Sequence, residues 1–214
     1  MKKNLKFEGG FHRIMEIMAA LMCLNFLCII CCLPLVTIGP SVTAMCYVAQ
    51  RLARNQETAV TKDFFHSFKE NMRQGIVIHL IMLLVAVVIF LDIYFCRQLG
   101  AVDTTSKYLL YLSYFVLFVY LMVFIYVYPL LSKYNNSVKK TFLNALLMSI
   151  SHLGRTLVMM AVTFVPYYLM YINTDIMKWG ILFFLVVGFA VTAYLNAKLL
   201  VKIFDRHSQR STEA

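Results

Sequence analysis

The sequence predicts an all-α polytopic membrane protein, and three observations lead to this fold class. The 214 residues are 61% hydrophobic, only 14% are charged, and the mean hydropathy is +0.75. A soluble globular domain is about half apolar, so this chain carries more apolar surface than a water-soluble core can hide. Several apolar runs also reach the ~20 residues that a helix needs to cross a bilayer. We therefore expect a single integral membrane domain over residues 1–214, with six spans or five spans plus a re-entrant hairpin.

The first apolar run covers residues 17–36 and ends in a break at Pro34 and Gly39-Pro40. Proline lacks a backbone N–H and clashes with the preceding turn, so one continuous helix cannot pass through both sites. The pattern predicts a helix, a tight turn and a short returning helix over residues 41–53. At about 1.5 Å per residue the return is short for an undistorted bilayer, so it is either a sixth span or a re-entrant segment.

The remaining apolar runs predict spans over residues 76–96, 108–131, 156–173 and 179–196. Two amphipathic segments lie between the spans, at residues 61–73 and 137–153. Such segments either lie among lipid headgroups or dock onto a protein partner. For the first segment, the candidate docking residues are Phe64, Phe65, Phe68, Lys69 and Met72.

The formal charge of +10 comes from 20 Lys and Arg residues against 10 acidic residues. The basic residues lie between apolar runs, with no separate basic domain, so we exclude nucleic acid as a partner and expect the lipid bilayer instead. If the 17–53 hairpin returns to its starting side, that side holds every Lys and Arg except Arg97, Lys107 and Lys178. The positive-inside rule then predicts a multi-pass membrane protein with both termini in the cytoplasm.

Polar groups within the predicted spans are costly and therefore candidates for function, and the three that we single out are Asn25, His79 and Asp92. For Asn25 we favour a helix–helix hydrogen bond over a solute contact. For His79 we favour packing, because no second titratable group lies at a similar depth to form a proton relay. For Asp92 we favour an interfacial ion pair with Arg97.

The sequence contains no Walker, G-x-S-x-G or H-E-x-x-H motif. Its cysteines lack the second ligand pair that a structural zinc site needs. We therefore predict that the protein is not an enzyme, and we assign no catalytic, cofactor-binding or metal-binding residue. The many tyrosines of the later spans could stack on carbohydrate, although interfacial belts and helix contacts are the favoured interpretation.

The N-terminal third carries motifs that resemble a known family. They are Asn25, Pro34, Thr37, Gly39, Pro40 and Ala44, followed by Asp63, Phe64, Phe65, Phe68, Lys69 and Asn71. This pattern resembles the YesL family (DUF624) of bacterial membrane proteins, sharply over the first 75 residues and diffusely beyond them. The tryptophan that is common after the family's asparagine is missing here, where residues 26–30 read F-L-C-I-I. The resemblance implies a bacterial plasma-membrane protein associated with carbohydrate uptake and ABC importers.

Together these observations predict an accessory or scaffold membrane subunit beside a carbohydrate ABC importer, with the importer's permease subunits and carbohydrate as candidate partners. A stand-alone small-solute transporter or channel is the alternative, and a membrane sensor or regulator is a third reading. A water-filled cavity lined by Asn25, His79 or Asp92 would favour the transporter.

Overall fold

The protein is described by a computed structural model that covers residues 9–99, 104–134 and 136–212. Every regular element among these residues is helical. The order is α1 (Gly9–Cys32), a 3₁₀ turn (Leu35–Thr37), α2 (Ile38–Ala53), α3 (Val60–Glu70), α4 (Met72–Leu99), α5 (Thr104–Leu131), α6 (Val138–Ser151), α7 (Leu153–Ile172), α8 (Thr174–Phe183), a π-turn (Phe184–Gly188) and α9 (Phe189–Thr212).

Five stretches of these helices are long and apolar enough to cross a membrane. They are His12–Cys32, Met72–Gln98, Lys107–Leu131, Leu153–Ile172 and Thr174–Val201. The expected all-α polytopic membrane fold is therefore confirmed. The short helix α2 is not one of the five.

Some helices begin or end at residues other than the predicted ones. The predicted loop between the last two spans is reduced to Asn173, whose Oδ1 accepts hydrogen bonds from the N–H groups of Asp175 (2.9 Å) and Ile176 (3.4 Å). This N-cap starts α8 immediately, and α8, the π-turn and α9 then follow without a break. At the first turn, α2 begins at Ile38, three residues earlier than the predicted 41–53.

Helix α2 lies at the centre of the fold and packs against α1, α3, α4, α5 and α9. Nine of its 16 residues are buried: Gly39, Pro40, Ser41, Thr43, Ala44, Met45, Val48, Ala49 and Gln50. Its Val42 contacts both hydrophobic cores, one built mainly on α5 and the other mainly on α1, α2 and the last span. A helix buried on most of its faces is a core element, which explains why α2 lacks a wide polar face.

Both ends of α2 contact the same end of the α4–α5 pair. The bonds His79–Tyr128 and Asp92–Ser113 show that α4 and α5 are antiparallel, so the start of α4 adjoins the end of α5. Near its first residues, α2 touches Gly75 of α4. Near its last residues, Gln50 donates to the carbonyl of Pro129 at the end of α5. Helix α2 therefore crosses this end of the pair and does not follow its length.

Candidate functional site: intramembrane polar contacts and a central cavity

Asn25 of α1 is fully buried and holds the π-turn of the last span. Its Nδ2 donates to the carbonyls of Phe184 (3.1 Å) and Leu185 (2.8 Å), and its Oδ1 accepts from the N–H of Ala190 (3.1 Å). A π-turn widens the helix and disturbs the regular backbone bonds, so Asn25 supplies partners on both sides of the wider turn. Asn25 is therefore occupied by helix–helix bonds, which leaves it no free group for a solute.

The turn between α1 and α2, which holds Thr37 and Pro40, is built by side chains with separate structural roles. The Thr37 hydroxyl lies 2.7 Å from the carbonyl of Cys31 and 2.8 Å from that of Pro34, so it can donate to either and closes the end of α1. Pro40 lies in the first turn of α2, where a missing N–H costs no hydrogen bond.

Gly39 is required for the contact between α2 and α4. A Cβ at Gly39 would overlap the carbonyl oxygen of Gly75 and would lie 2.7 Å from the Cβ of His79. A Cβ at Gly75 would in turn lie 2.9 Å from the backbone nitrogen of Pro40. These two glycines therefore allow the backbones of α2 and α4 to approach, as small residues do at membrane helix interfaces.

The other two intramembrane polar residues bond to α5. His79 Nδ1 lies 3.0 Å from the Tyr128 hydroxyl. Asp92 accepts a hydrogen bond from the Ser113 hydroxyl, while Arg97 donates to the Tyr114 hydroxyl at 2.7 Å. Asp92 is therefore bonded across to α5, which differs from the expected ion pair with Arg97, because helix α5 presents hydroxyl groups within reach of both side chains.

The predicted docking face of α3 points mostly inward, which corrects the expectation drawn from its amphipathic pattern. Phe64 is fully buried in the core with Leu24 and Val48. Phe68 and Met72 are partly buried, and only Phe65 (39% exposed) and Lys69 remain available to a partner. An amphipathic pattern identifies an apolar face but does not say whether that face meets the chain's own core or another protein.

The second predicted docking segment, residues 137–153, forms α6 and the first residue of α7. Its small residues Thr141, Ala145 and Ser149 are buried. On other faces, Leu143, Leu147, Ile150 and Leu153 are exposed, each by 46% or more. This segment therefore presents an apolar surface outward.

A cavity of about 260 Å³ lies between α2, α5, α7 and α9, and we call it the central cavity. Its lining residues are Val42, Met45, Cys46, Gln50, Phe124, Ile125, Tyr128, Pro129, Thr163, Tyr167, Phe189, Thr192, Ala193, Asn196, Ala197 and Leu200. Asn25, His79 and Asp92 do not line it. Sequence reasoning missed this cavity because its mostly apolar residues come from four helices and form no local motif.

The polar groups in the cavity wall are uncharged, and most of them are bonded to neighbours, while the buried Asn196 Oδ1 has no hydrogen-bond partner among the described residues. Gln50 Nε2 donates to Pro129 O (3.1 Å) and to Ser132 Oγ (2.9 Å). Asn196 Nδ2 donates to Thr163 Oγ1 (2.9 Å). Thr192 donates to the carbonyl of Gly188 (2.9 Å). The wall is therefore suited to an apolar occupant, since most of its hydrogen-bond donors are already used.

Within the described part of the chain, no three His, Cys, Asp or Glu side chains form a group that could hold a metal ion. The exposed tyrosines are spread over the outer surface, with Tyr108 and Tyr111 each 71% exposed and Tyr171 88% exposed. This distribution is typical of an interfacial aromatic belt.

Comparison with known proteins gives one family match. No curated protein and no solved structure matches the chain. The family model described as "Protein of unknown function, DUF624" matches residues 21–93, a segment that holds Asn25, the Thr37–Pro40 turn, α2, α3 and most of α4. Residues 21–93 therefore carry the signature of the DUF624 family, which confirms the resemblance expected from the N-terminal motifs.

Proposed function

We propose that the protein is an accessory or scaffold membrane subunit that works beside a carbohydrate ABC importer. The observation that carries the scaffold role is that Asn25, His79 and Asp92 each bond a neighbouring helix and none of them lines the central cavity. The intramembrane polar groups therefore serve helix packing. The importer and the carbohydrate come into the proposal from the family resemblance.

The exposed helix faces support a role in assembly. In the most hydrophobic windows of the five candidate spans, between 11% and 28% of the residues are buried inside the chain. Much of each span is therefore free to meet lipid or a partner's helix. On the α3 surface, Phe65 and Lys69 remain accessible beside Lys62, which gives a small patch of mixed apolar and basic character.

The proposal is tested by affinity purification of the tagged protein from its native host in mild detergent, followed by mass spectrometry. We expect permease subunits in near-equal amounts with the wild-type protein. Phe65→Ser should lower their recovery at least about fivefold, the loss expected when ~1 kcal/mol of contact energy is removed.

Phe90→Ser serves as the matched control, because Phe90 is an exposed phenylalanine (68%) on α4, away from the α3 patch. Equal recovery from both variants would remove the α3 patch from the interface. Recovery of the wild-type protein alone would contradict the accessory role.

A second candidate function is a stand-alone transporter of a small uncharged solute, for which the central cavity would be the binding volume. Its apolar lining and the absence of Asn25, His79 and Asp92 from its wall count against a continuous polar path. Solute uptake by proteoliposomes that contain only this protein would establish the transporter, and uptake no faster than into empty liposomes would exclude it for the solutes tested.

A further inference from the structure

The central cavity is enclosed by elements that belong to the membrane. Apart from Val42, Met45, Cys46 and Gln50 of α2, every lining residue lies on one of three candidate spans, Lys107–Leu131, Leu153–Ile172 and Thr174–Val201. None of the lining residues is charged. Water gains little in such a site, because a buried water needs two to four free polar partners and, within the described part of the chain, Asn196 Oδ1 is the one buried polar side-chain atom of the lining that lacks a hydrogen-bond partner.

On the side of α7 and α9, the cavity wall reaches the outer surface at Tyr167 and Phe189, whose rings both pack against Phe184 (4.8 Å and 5.3 Å between ring centroids), and we call this side the mouth. Tyr167 (41% exposed) and Phe189 (40% exposed) are the two lining residues that belong to the exposed class, while the others are buried or half-buried. Both residues lie well inside candidate spans. The mouth therefore opens toward the hydrocarbon interior of the bilayer, where acyl chains are the molecules at hand.

We propose that the central cavity binds one acyl chain of a membrane phospholipid, which enters between Tyr167 and Phe189. An apolar protein cavity of ~150 Å³ holds a benzene molecule, so 260 Å³ accommodates a segment of about ten carbon atoms. The aromatic mouth and the aliphatic wall bury such a chain, and hydrophobic contacts hold it without any hydrogen bond.

Two other occupants fit less well. A carbohydrate would bring many hydroxyl groups, and the amide nitrogens of Gln50 and Asn196 already donate to protein acceptors. A second protein would need a larger contact surface than a cavity of this size with a single mouth provides. This binding site stands apart from the scaffold function, so either proposal can fail without the other.

The experiment uses the full chain in detergent-free vesicles that contain phosphatidylglycerol with a diazirine at the end of one acyl chain. After illumination, mass spectrometry locates the labelled residues. We expect label on cavity-wall residues of α2 and α9, such as Met45 and Ala193. A second probe, with the diazirine next to the ester group, should leave these residues unlabelled, because the mouth lies deep in the bilayer.

Filling the cavity provides the variant test. Ala193→Leu places three extra carbon atoms in the wall and should reduce cavity labelling at least fivefold. Ala161→Leu is the matched control, since Ala161 is exposed on α7 and does not line the cavity, and its labelling should equal that of the wild type.

Label confined to outward-facing residues such as Leu185 (53% exposed) would overturn the proposal, as would cavity labelling that Ala193→Leu leaves unchanged. If Ala193→Leu does not fold, the labelled positions in the wild-type protein decide the question by themselves.

Discussion

At the scale of single residues, Asn25 shows how one amide can join distant parts of the chain. Its three hydrogen bonds reach residues that lie about 160 positions later, all on the last span. The sequence marks Asn25 as a polar residue in an apolar run, and a helix–helix bond was the favoured interpretation. Its partner could not be predicted, because backbone carbonyls occur at every position and carry no sequence signal.

Asn25→Leu should lower the free energy of unfolding by about 1–3 kcal/mol, since it leaves two buried carbonyls and one N–H without these partners. Thermal or denaturant unfolding in detergent measures the change. Phe26→Leu is the control, because Phe26 is 49% exposed and is the next residue along α1. Equal stability of the two variants would show that the Asn25 bonds do not contribute.

Gly39→Ala should be destabilising although alanine normally favours a helix. The new Cβ would collide with the Gly75 backbone, and the helices must separate to relieve it. We expect a loss of roughly 1–3 kcal/mol, the usual range for overpacking, and a lower melting temperature in detergent.

Gly154→Ala is the matched control for that substitution. Nothing lies within 4 Å of a Cβ at Gly154, so this change should leave stability unchanged or raise it by up to about 1 kcal/mol. A Gly39→Ala protein as stable as Gly154→Ala would contradict the close approach of α2 and α4.

At the scale of elements, α3 illustrates both the use and the limit of an amphipathic pattern. The pattern correctly indicates a short helix with one apolar face. The face meets α1 and α2 of the same chain, and an ion pair between Arg51 and Asp63 (3.2 Å) fixes the register. Their side chains are 31% and 17% exposed, so this pair is shielded more than an ordinary surface pair.

Asp63→Asn should loosen α3 without unfolding the protein. We expect amide hydrogen exchange in residues 60–70 to rise several-fold, because local opening becomes easier when an ion pair worth about 1 kcal/mol is removed. Glu70→Gln is the control on the same helix, since the His66–Glu70 contact (3.7 Å) is 70% and 48% exposed. Faster exchange in both variants alike would point to a general effect of charge.

At the scale of the whole molecule, α2 joins the two hydrophobic cores. Its Val42 contacts both of them, and its Gln50 bonds the end of α5 through Pro129 and Ser132. A bilayer requires long apolar helices, which is why composition and run length predict the fold class. They do not predict which helix is central, since a short buried helix and a short re-entrant helix have similar compositions.

Gln50→Leu should lower the free energy of unfolding by about 0.5–1.5 kcal/mol, because the Pro129 carbonyl loses the Gln50 donor but keeps the hydrogen bond from the Ser132 hydroxyl. Hydrogen exchange should rise in α2 and at the end of α5 together, and α8 should be unaffected. The exposed Gln98→Leu should change neither quantity. A change limited to α2 would mean that Gln50 does not couple the two cores.

For the candidate sites, local features could be predicted from the sequence, whereas features that depend on distant parts of the chain could not. The Thr37–Pro40 turn could be predicted because proline and glycine act on their own backbone. The central cavity and the Tyr128–His79 bond could not, since they depend on how separate helices pack. The amphipathic pattern predicts that Phe64 lies on a partner surface, because the helix face that carries it is apolar. Only the packing of α3 on α1 and α2 shows that this face is internal.

The central position of α2 also has a consequence for biogenesis. Residues 38–53 leave the ribosome early, but the surfaces that cover them on α4, α5 and α9 are synthesised later, the last of them near residue 200. The buried face of the nascent α2 therefore remains partly uncovered until the final helix has been synthesised, and only then can the fold be completed. Truncation of that helix should expose α2 to membrane proteases, whatever the stability of the helices already inserted.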